Sequence, residues 1–334
     1  MNPEIDHEIP FSKREYTANY NFKMAYLHPR YWPLWLLIAF LFLVGRLPFP
    51  WVLALGRRIG RMFMKMGGSR VKVTRRNLEL CFPDKSSEER EALLVKNFES
   101  IGIALLEPGV AWFSSRKRIE RISRFIGWSR VLKAQDSNHG VLVSALHMTC
   151  LEMACRIASE RFSFNILYRV HDNPVYEYVS GVCRNRYRHK SRFIPRKQVK
   201  DLLHFIKQGE VGIILPDQDM GRKRSHFIPF FGIDAATIPS TSDFARLADA
   251  KVVTGSYFLD DDNRYIVEFS EPLESFPTED SLADTTRIAE LTESTIRQHP
   301  DQYLWQHRRF KTRPEGETSL YGKKEPKKKK RKKK

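Results

Sequence analysis

The apolar positions of the chain change their period twice. Residues 31–44, YWPLWLLIAFLFLV, form an unbroken run of fourteen apolar residues, and after Gly45 and Arg46 the apolar character resumes as LPFPWVLALG. A strict membrane span needs about 20 such residues, so residues 31–56 read as a membrane anchor that is either a single span or an interfacial helix. Trp32, Trp35 and Trp51 stand where aromatic side chains settle at a membrane surface. The stretch SSEEREALLVKNFESIGIALLEPGVAWF then repeats its apolar residues at helical spacing. Ser86 ahead of Glu88 and Glu89 marks the start of that helix.

From Gly140 the period changes again. GVLVSAL, FNILYRV and VGIIL are short continuous apolar runs that predict buried strands, and they alternate with helical patterns in LEMACRIASER, residues 174–187 and KQVKDLLHFIKQG. The last third adds a helix over 240–250, strands KVVTGSYFL and RYIVEFS, and a helix over 282–299. Such alternation predicts an α/β fold with a largely parallel central sheet flanked by helices, carrying an N-terminal membrane-anchoring helix. The chain divides into a polar segment over 1–30, the anchor over 31–56, one main domain over 57–317 and a Lys-rich tail, expected to be disordered, over 318–334.

Charge sharpens this division. The 57 Lys and Arg residues exceed the 39 acidic ones by 18, and half of that excess lies in the ten basic residues from Lys323 onward, where Glu325 is the lone acid. A run of like charges repels itself and stays unfolded. The rest of the excess favours an anionic partner such as lipid headgroups, nucleic acid, a phosphorylated substrate or an acidic carrier protein. Arg57, Arg58, Arg61, Lys65, Arg70, Lys72, Arg75 and Arg76 outnumber the basic residues ahead of the apolar run, so a span would leave the main domain in the cytosol. Cys81, Cys150, Cys155 and Cys183 contain no CxxC pair, which argues against zinc and for buried, reduced thiols.

The candidate chemistry centres on SALHMTCLEMA. His147 ends a predicted strand and Glu152 follows five residues later. On one continuous helix the two side chains would diverge by about 140°. If the strand ends at His147 and the helix begins at Thr149, the chain bends and the carboxylate can reach the imidazole. The same spacing allows a plain capping box, with Glu152 bonded to the Thr149 backbone. Strand C-terminal ends are where open α/β sheets build sites, and a histidine with a carboxylate partner is equipped to take a proton from a hydroxyl.

LHMTCLE, HDNPVYEYV, PDQDMGRKRSHFIPFFG and LWQHRRFKTRPEG, with HPRYW, RRNLELCFP and KNFESIG, closely resemble the lipid A biosynthesis late acyltransferases over roughly residues 28–317. KNFES, AWF and HRRFKTRPEG look more like the lauroyl branch than the myristoyl one. The resemblance implies a single-pass inner-membrane enzyme of bacteria with its acyltransferase domain on the cytoplasmic side. It implies transfer of a lauroyl-like chain from acyl carrier protein to a hydroxyl of the di-Kdo tetraacyl lipid A precursor. The family's H-x4-D/E pair falls on His147 as general base and Glu152 as its orienting acid.

Arg169, Asp217, Gln218 and Arg222 are carried over as substrate-binding residues. Asp217 follows a predicted strand as His147 does and would lie near it if the two strands are neighbours, although Asp217, Gln218 and Asp219 also suit a plain turn. The basic stretch 184–192, with Arg196, Lys197 and Lys200, is expected near the mouth of the site, facing carrier protein or lipid phosphates. Arg169 or a backbone N–H is expected to hold the oxyanion. The reaction calls for no metal and no organic cofactor. A glycerophospholipid acyltransferase is the rival enzyme. A membrane-tethered nucleic-acid binder is disfavoured, because no aromatic residue follows Tyr321 and no reading module precedes the tail.

Overall fold

The computed structural model describes residues 20–135, 139–187 and 189–322. The lysine run from Lys323 and most of the polar segment over 1–30 lie outside them. After two short 3-10 helices, Met24–Leu27 and Pro29–Tyr31, come five α-helices: α1 (Trp32–Val44), α2 (Phe49–Met66), α3 (Ser69–Cys81), α4 (Ser87–Phe113) and α5 (Arg116–Arg121). The α/β part follows as β1 (Ser123–Ile126), α6 (Trp128–Gln135), β2 (Val141–Ser144), α7 (Leu151–Ala158), β3 (Asn165–Tyr168), α8 (Pro174–Arg184), β4 (Arg192–Pro195), α9 (Val199–Lys207) and β5 (Val211–Ile214). It closes with a hairpin of β6 (His226–Phe230) and β7 (Ile233–Thr237), then α10 (Ser240–Ala248), β8 (Lys251–Leu259), β9 (Tyr265–Phe269) and α11 (Ser281–Gln298).

Seven strands form the main sheet in the order β1-β9-β8-β2-β5-β3-β4. All neighbouring pairs are parallel except β8 with β9, so the largely parallel sheet read from the alternation is present. Strand side chains point alternately to its two faces. Leu142, Ile214 and Val252 pack with Leu202, Phe205 and Ala245 from α9 and α10. Their chain neighbours Val143, Ile213 and Val253 face the other way, into the larger core that includes Leu106, Val110 and Met153 from α4 and α7. Burial on both faces explains why these strands read as unbroken apolar runs.

The expected anchor is divided. No helix among the described residues is long and apolar enough to cross a membrane. The chain turns between Gly45 and Pro48, where the Arg118 guanidinium donates to the Gly45 and Leu47 carbonyls, and α2 continues well past residue 56. Both helices lie against α4. A β-carbon on Gly60 would collide with the Phe98 carbonyl, and one on Gly102 with the Gly56 carbonyl, so only glycine permits so close an approach. Leu36, Leu43 and Trp51 are nonetheless 71%, 62% and 66% exposed, an apolar surface that the protein's own packing leaves uncovered. At the other end, Leu320 and Tyr321 pack on the core, and the Tyr321 hydroxyl donates to Asn77 Oδ1 at 2.6 Å. Ordered contact thus continues a few residues past 317.

Candidate active site

Register brings two distant residues together. β2 and β5 are parallel neighbours with Ser144 opposite Ile214. His147 and Asp217 each stand three positions beyond those strand ends, so they emerge side by side although 70 residues separate them. His147 Nδ1 lies 2.7 Å from Asp217 Oδ1, and the His147 backbone N–H donates to Oδ2 at 3.0 Å. The Asp217 side chain is fully buried, whereas the imidazole is one quarter exposed. An ionised carboxylate only accepts hydrogen bonds, so Nδ1 carries the proton and Nε2 is left with its lone pair. Burial opposes the charge on Asp217, but the imidazole and the two hydrogen bonds from His147 hold it at about 2. Burial likewise opposes charge on His147, and Asp217 more than offsets this, raising the imidazole above its ordinary value.

The orienting contact expected of Glu152 is therefore made by Asp217. Glu152 turns instead toward α4 and α8: Arg184 donates to it at 3.1 and 2.6 Å, and Trp112 Nε1 donates to its Oε1 at 2.7 Å. Burial opposes the Glu152 charge, and Arg184 outweighs it, so the carboxyl stays below its usual range. The physical reason lies in where the helix begins. α7 starts at Leu151 with no side-chain cap, which carries Glu152 onto the face toward α4 and away from the strand end. The capping-box alternative is also not formed, since the Thr149 N–H donates to the Gln302 carbonyl at 2.7 Å.

The other expected residues part ways. Arg169 is exposed and paired with Asp172 at 2.8 Å. Gln218 is half-buried beside Asp217. Arg222 is exposed, donates to the Arg313 carbonyl at 2.7 Å, and lies over the Phe227 ring. Of the basic stretch, Arg192 is buried among Asn165 and Glu210 and Arg184 is committed to Glu152, while Arg186, Lys190, Arg196, Lys197 and Lys200 are exposed. Asp219 is buried and accepts from the Gly221 N–H, the Thr312 N–H and the Thr312 hydroxyl, which fastens the C-terminal segment to the Asp217 loop. The Asp219 N–H in turn donates to His307 Nε2 at 3.1 Å. A crevice opens beside Asp217, walled by Phe230, Ile238, Ile288 and Ala289 with Arg309 at its edge.

Trp112, Arg184 and His307 were not singled out from the sequence for this site. The signal available for His307 was its place in LWQHRRFKTRPEG. Arg184 reads only as part of the basic stretch expected to face carrier protein or lipid phosphates, and Trp112 only as part of AWF; their contact with Glu152 follows from helix packing.

Comparison with known proteins gives the family of the chain. The family model described as bacterial lipid A biosynthesis acyltransferase matches residues 19–312. The chain is 38% identical to the lipid A biosynthesis palmitoleoyltransferase of Escherichia coli over 302 residues, 90% of this chain and 98% of that protein. It is 37% identical to the lipid A biosynthesis lauroyltransferase of the same organism over the same shares. The lipid A biosynthesis myristoyltransferase of that organism is 27% identical, over 91% of this chain and 94% of its own.

Proposed function

The chain belongs to the bacterial lipid A biosynthesis acyltransferase family and is an acyltransferase, and from that premise we propose that His147 and Asp217 carry the transfer. The donor is an acyl thioester on acyl carrier protein and the acceptor is a hydroxyl on an acyl arm of the di-Kdo tetraacyl lipid A precursor. The observation that carries this reading is the bond from His147 Nδ1 to the buried Asp217, which leaves Nε2 basic at the C-terminal end of a parallel strand. Nε2 takes the hydroxyl proton as the oxygen attacks the thioester carbon. The imidazolium so formed is stabilised by Asp217 and returns the proton to the departing thiolate.

Glu152 acts one step removed, by holding Arg184 and Trp112 and so fixing α7, α8 and α4 behind the histidine. Gln218, Arg222 and Arg169 are assigned to the polar parts of the substrate. The crevice walled by Phe230, Ile288 and Ala289 takes acyl carbon, where each methylene is worth about 0.8 kcal/mol. The similarities favour the lauroyl and palmitoleoyl transferases over the myristoyl enzyme, which supports a lauroyl or a palmitoleoyl donor.

The membrane contact follows from α1 and α2. Their exposed Leu36, Leu43 and Trp51 lie on two short helices joined by a turn, which supports docking in the plane of the inner membrane's cytoplasmic face. The test is to incubate purified enzyme and a His147→Ala variant with a panel of acyl carrier proteins and the tetraacyl precursor, and to read product mass. A His147-dependent gain of one acyl chain supports the proposal and gives the chain length. No gain from folded protein with any donor removes it, and glycerophospholipid acceptors would be tried next.

A further inference from the structure

The transfer needs a donor for the oxyanion that forms as the hydroxyl adds to the thioester, and Arg169, the side chain expected to serve, is turned out to Asp172. Another group is tied to the reacting end of the sheet through hydrogen bonds of its own segment. The segment around Tyr303 to His307 is tied to both catalytic strand ends. The Leu304 N–H donates to the His147 carbonyl at 2.9 Å, and Met148 and Tyr303 form a β-bridge. The Tyr303 hydroxyl reaches the Asp217 carbonyl at 3.5 Å.

His307 ends this tie. Its Nε2 accepts the Asp219 N–H, which fixes the proton of the neutral ring on Nδ1. The ring is half-buried, and its Nδ1 makes no hydrogen bond among the described residues. Burial pushes His307 down to about 4, while the charges of Asp217, Asp219, Arg309 and His147 all act on it. It is therefore neutral at any pH where His147 works as a base, and a neutral imidazole N–H is a suitable electrophile for a developing oxyanion.

We propose that His307 is a catalytic residue that donates its Nδ1–H to the oxyanion of the tetrahedral intermediate. This rests on the acyl-transfer reading above. The hydroxyl oxygen forms a bond to the thioester carbon as its proton passes to His147 Nε2, and the carbonyl π electrons move to oxygen, where His307 meets them. On collapse the C=O bond re-forms, the C–S bond breaks, and the thiolate takes the proton back from His147. His307 keeps its own proton throughout.

Two substitutions separate this role from a structural one. His307→Gln places an acceptor where Nε2 was, so the Asp219 N–H keeps its partner, but no donor remains at the Nδ1 position. His307→Asn does the reverse. Turnover with acyl carrier protein and the tetraacyl precursor is measured beside wild type, His147→Ala and the melting temperature of each. The expected result is a fall in kcat of about 10²- to 10³-fold for His307→Gln, the cost of one oxyanion donor, with KM and melting temperature near wild type and with His307→Asn the more active of the two. Wild-type turnover by His307→Gln, or Gln exceeding Asn, overturns the proposal and leaves His307 as a structural latch. A wild type that adds no acyl chain, or a His147→Ala variant that does, overturns the acyl-transfer reading and this proposal with it.

Discussion

With the Asp217 carboxyl held at about 2 by His147, the pair makes opposite demands on stability and activity as pH changes, through the imidazole. The contribution of Asp217 to folding is present above its ordinary value of 3.8 and is lost as pH falls through about 2. That of His147 is complete below 6.5 and is lost as pH rises through its raised value. The pair thus stabilises most between those two ordinary values. A base must be neutral, so activity should instead rise with pH as His147 gives up its proton. Asp217→Asn should lower kcat by roughly 10²- to 10⁴-fold and move the limb of the pH–rate profile to lower pH. Glu152→Gln should leave that limb in place and cost about 3 kcal/mol in urea unfolding, because Arg184 would lose its buried partner. If the limb moves with Glu152 and not with Asp217, the assignment of the orienting carboxylate is reversed.

Glu107 makes a second argument at this scale. Its carboxyl is buried, accepts the Tyr265 hydroxyl at 3.0 Å, and is pushed up to about 8 by burial. A raised carboxyl stabilises the fold fully below its ordinary 4.5 and progressively less as pH climbs toward 8. Glu107→Gln, which cannot ionise, should melt higher than wild type above neutral pH, by a margin that widens up to about pH 8 and then levels off.

Among the elements, the packing of α2 on α4 is the most sensitive to a single atom. Gly60 and Gly102 approach the facing backbone more closely than any β-carbon permits. Gly60→Leu should therefore separate the helices and destabilise by at least the few kcal/mol typical of an overpacked contact, visible as a lower melting temperature. The exposed side of the same unit faces outward with Leu36 and Leu43. Leu36→Glu with Leu43→Glu should weaken partition onto anionic vesicles while sparing turnover on detergent-dispersed substrate; unchanged partition would send the search for the membrane contact elsewhere. The break in the apolar run at Gly45 and Arg46 is visible, but residues 31–56 read across it as one anchor, whereas α1 stops after 13 residues. That α1 and α2 lie on α4 is not visible, since the glycines responsible touch residues about 40 positions away.

For the molecule as a whole, the charge is the property that composition alone makes plain. The lysine run from Lys323 should add salt-dependent affinity for anionic membranes, about 1 kcal/mol for each basic residue that reaches the surface. Its deletion should weaken vesicle retention at low salt without changing turnover in detergent. The α/β class, the parallel core strands and the position of His147 at a strand end were legible, because apolar periodicity is a local property of the chain. β1 and β4 were not, being short strands whose partners lie elsewhere in the sheet, and neither was the β6–β7 hairpin, whose short strands pair with each other in a separate sheet. The partner of His147 was legible only conditionally, since Asp217 would lie near it if the two strands were neighbours, and local patterning does not give strand order. A motif records which residues are near in sequence, and it pointed to Glu152. The strand order, set by how side chains pack on the two faces of the sheet, placed β5 beside β2 and brought Asp217 to the imidazole.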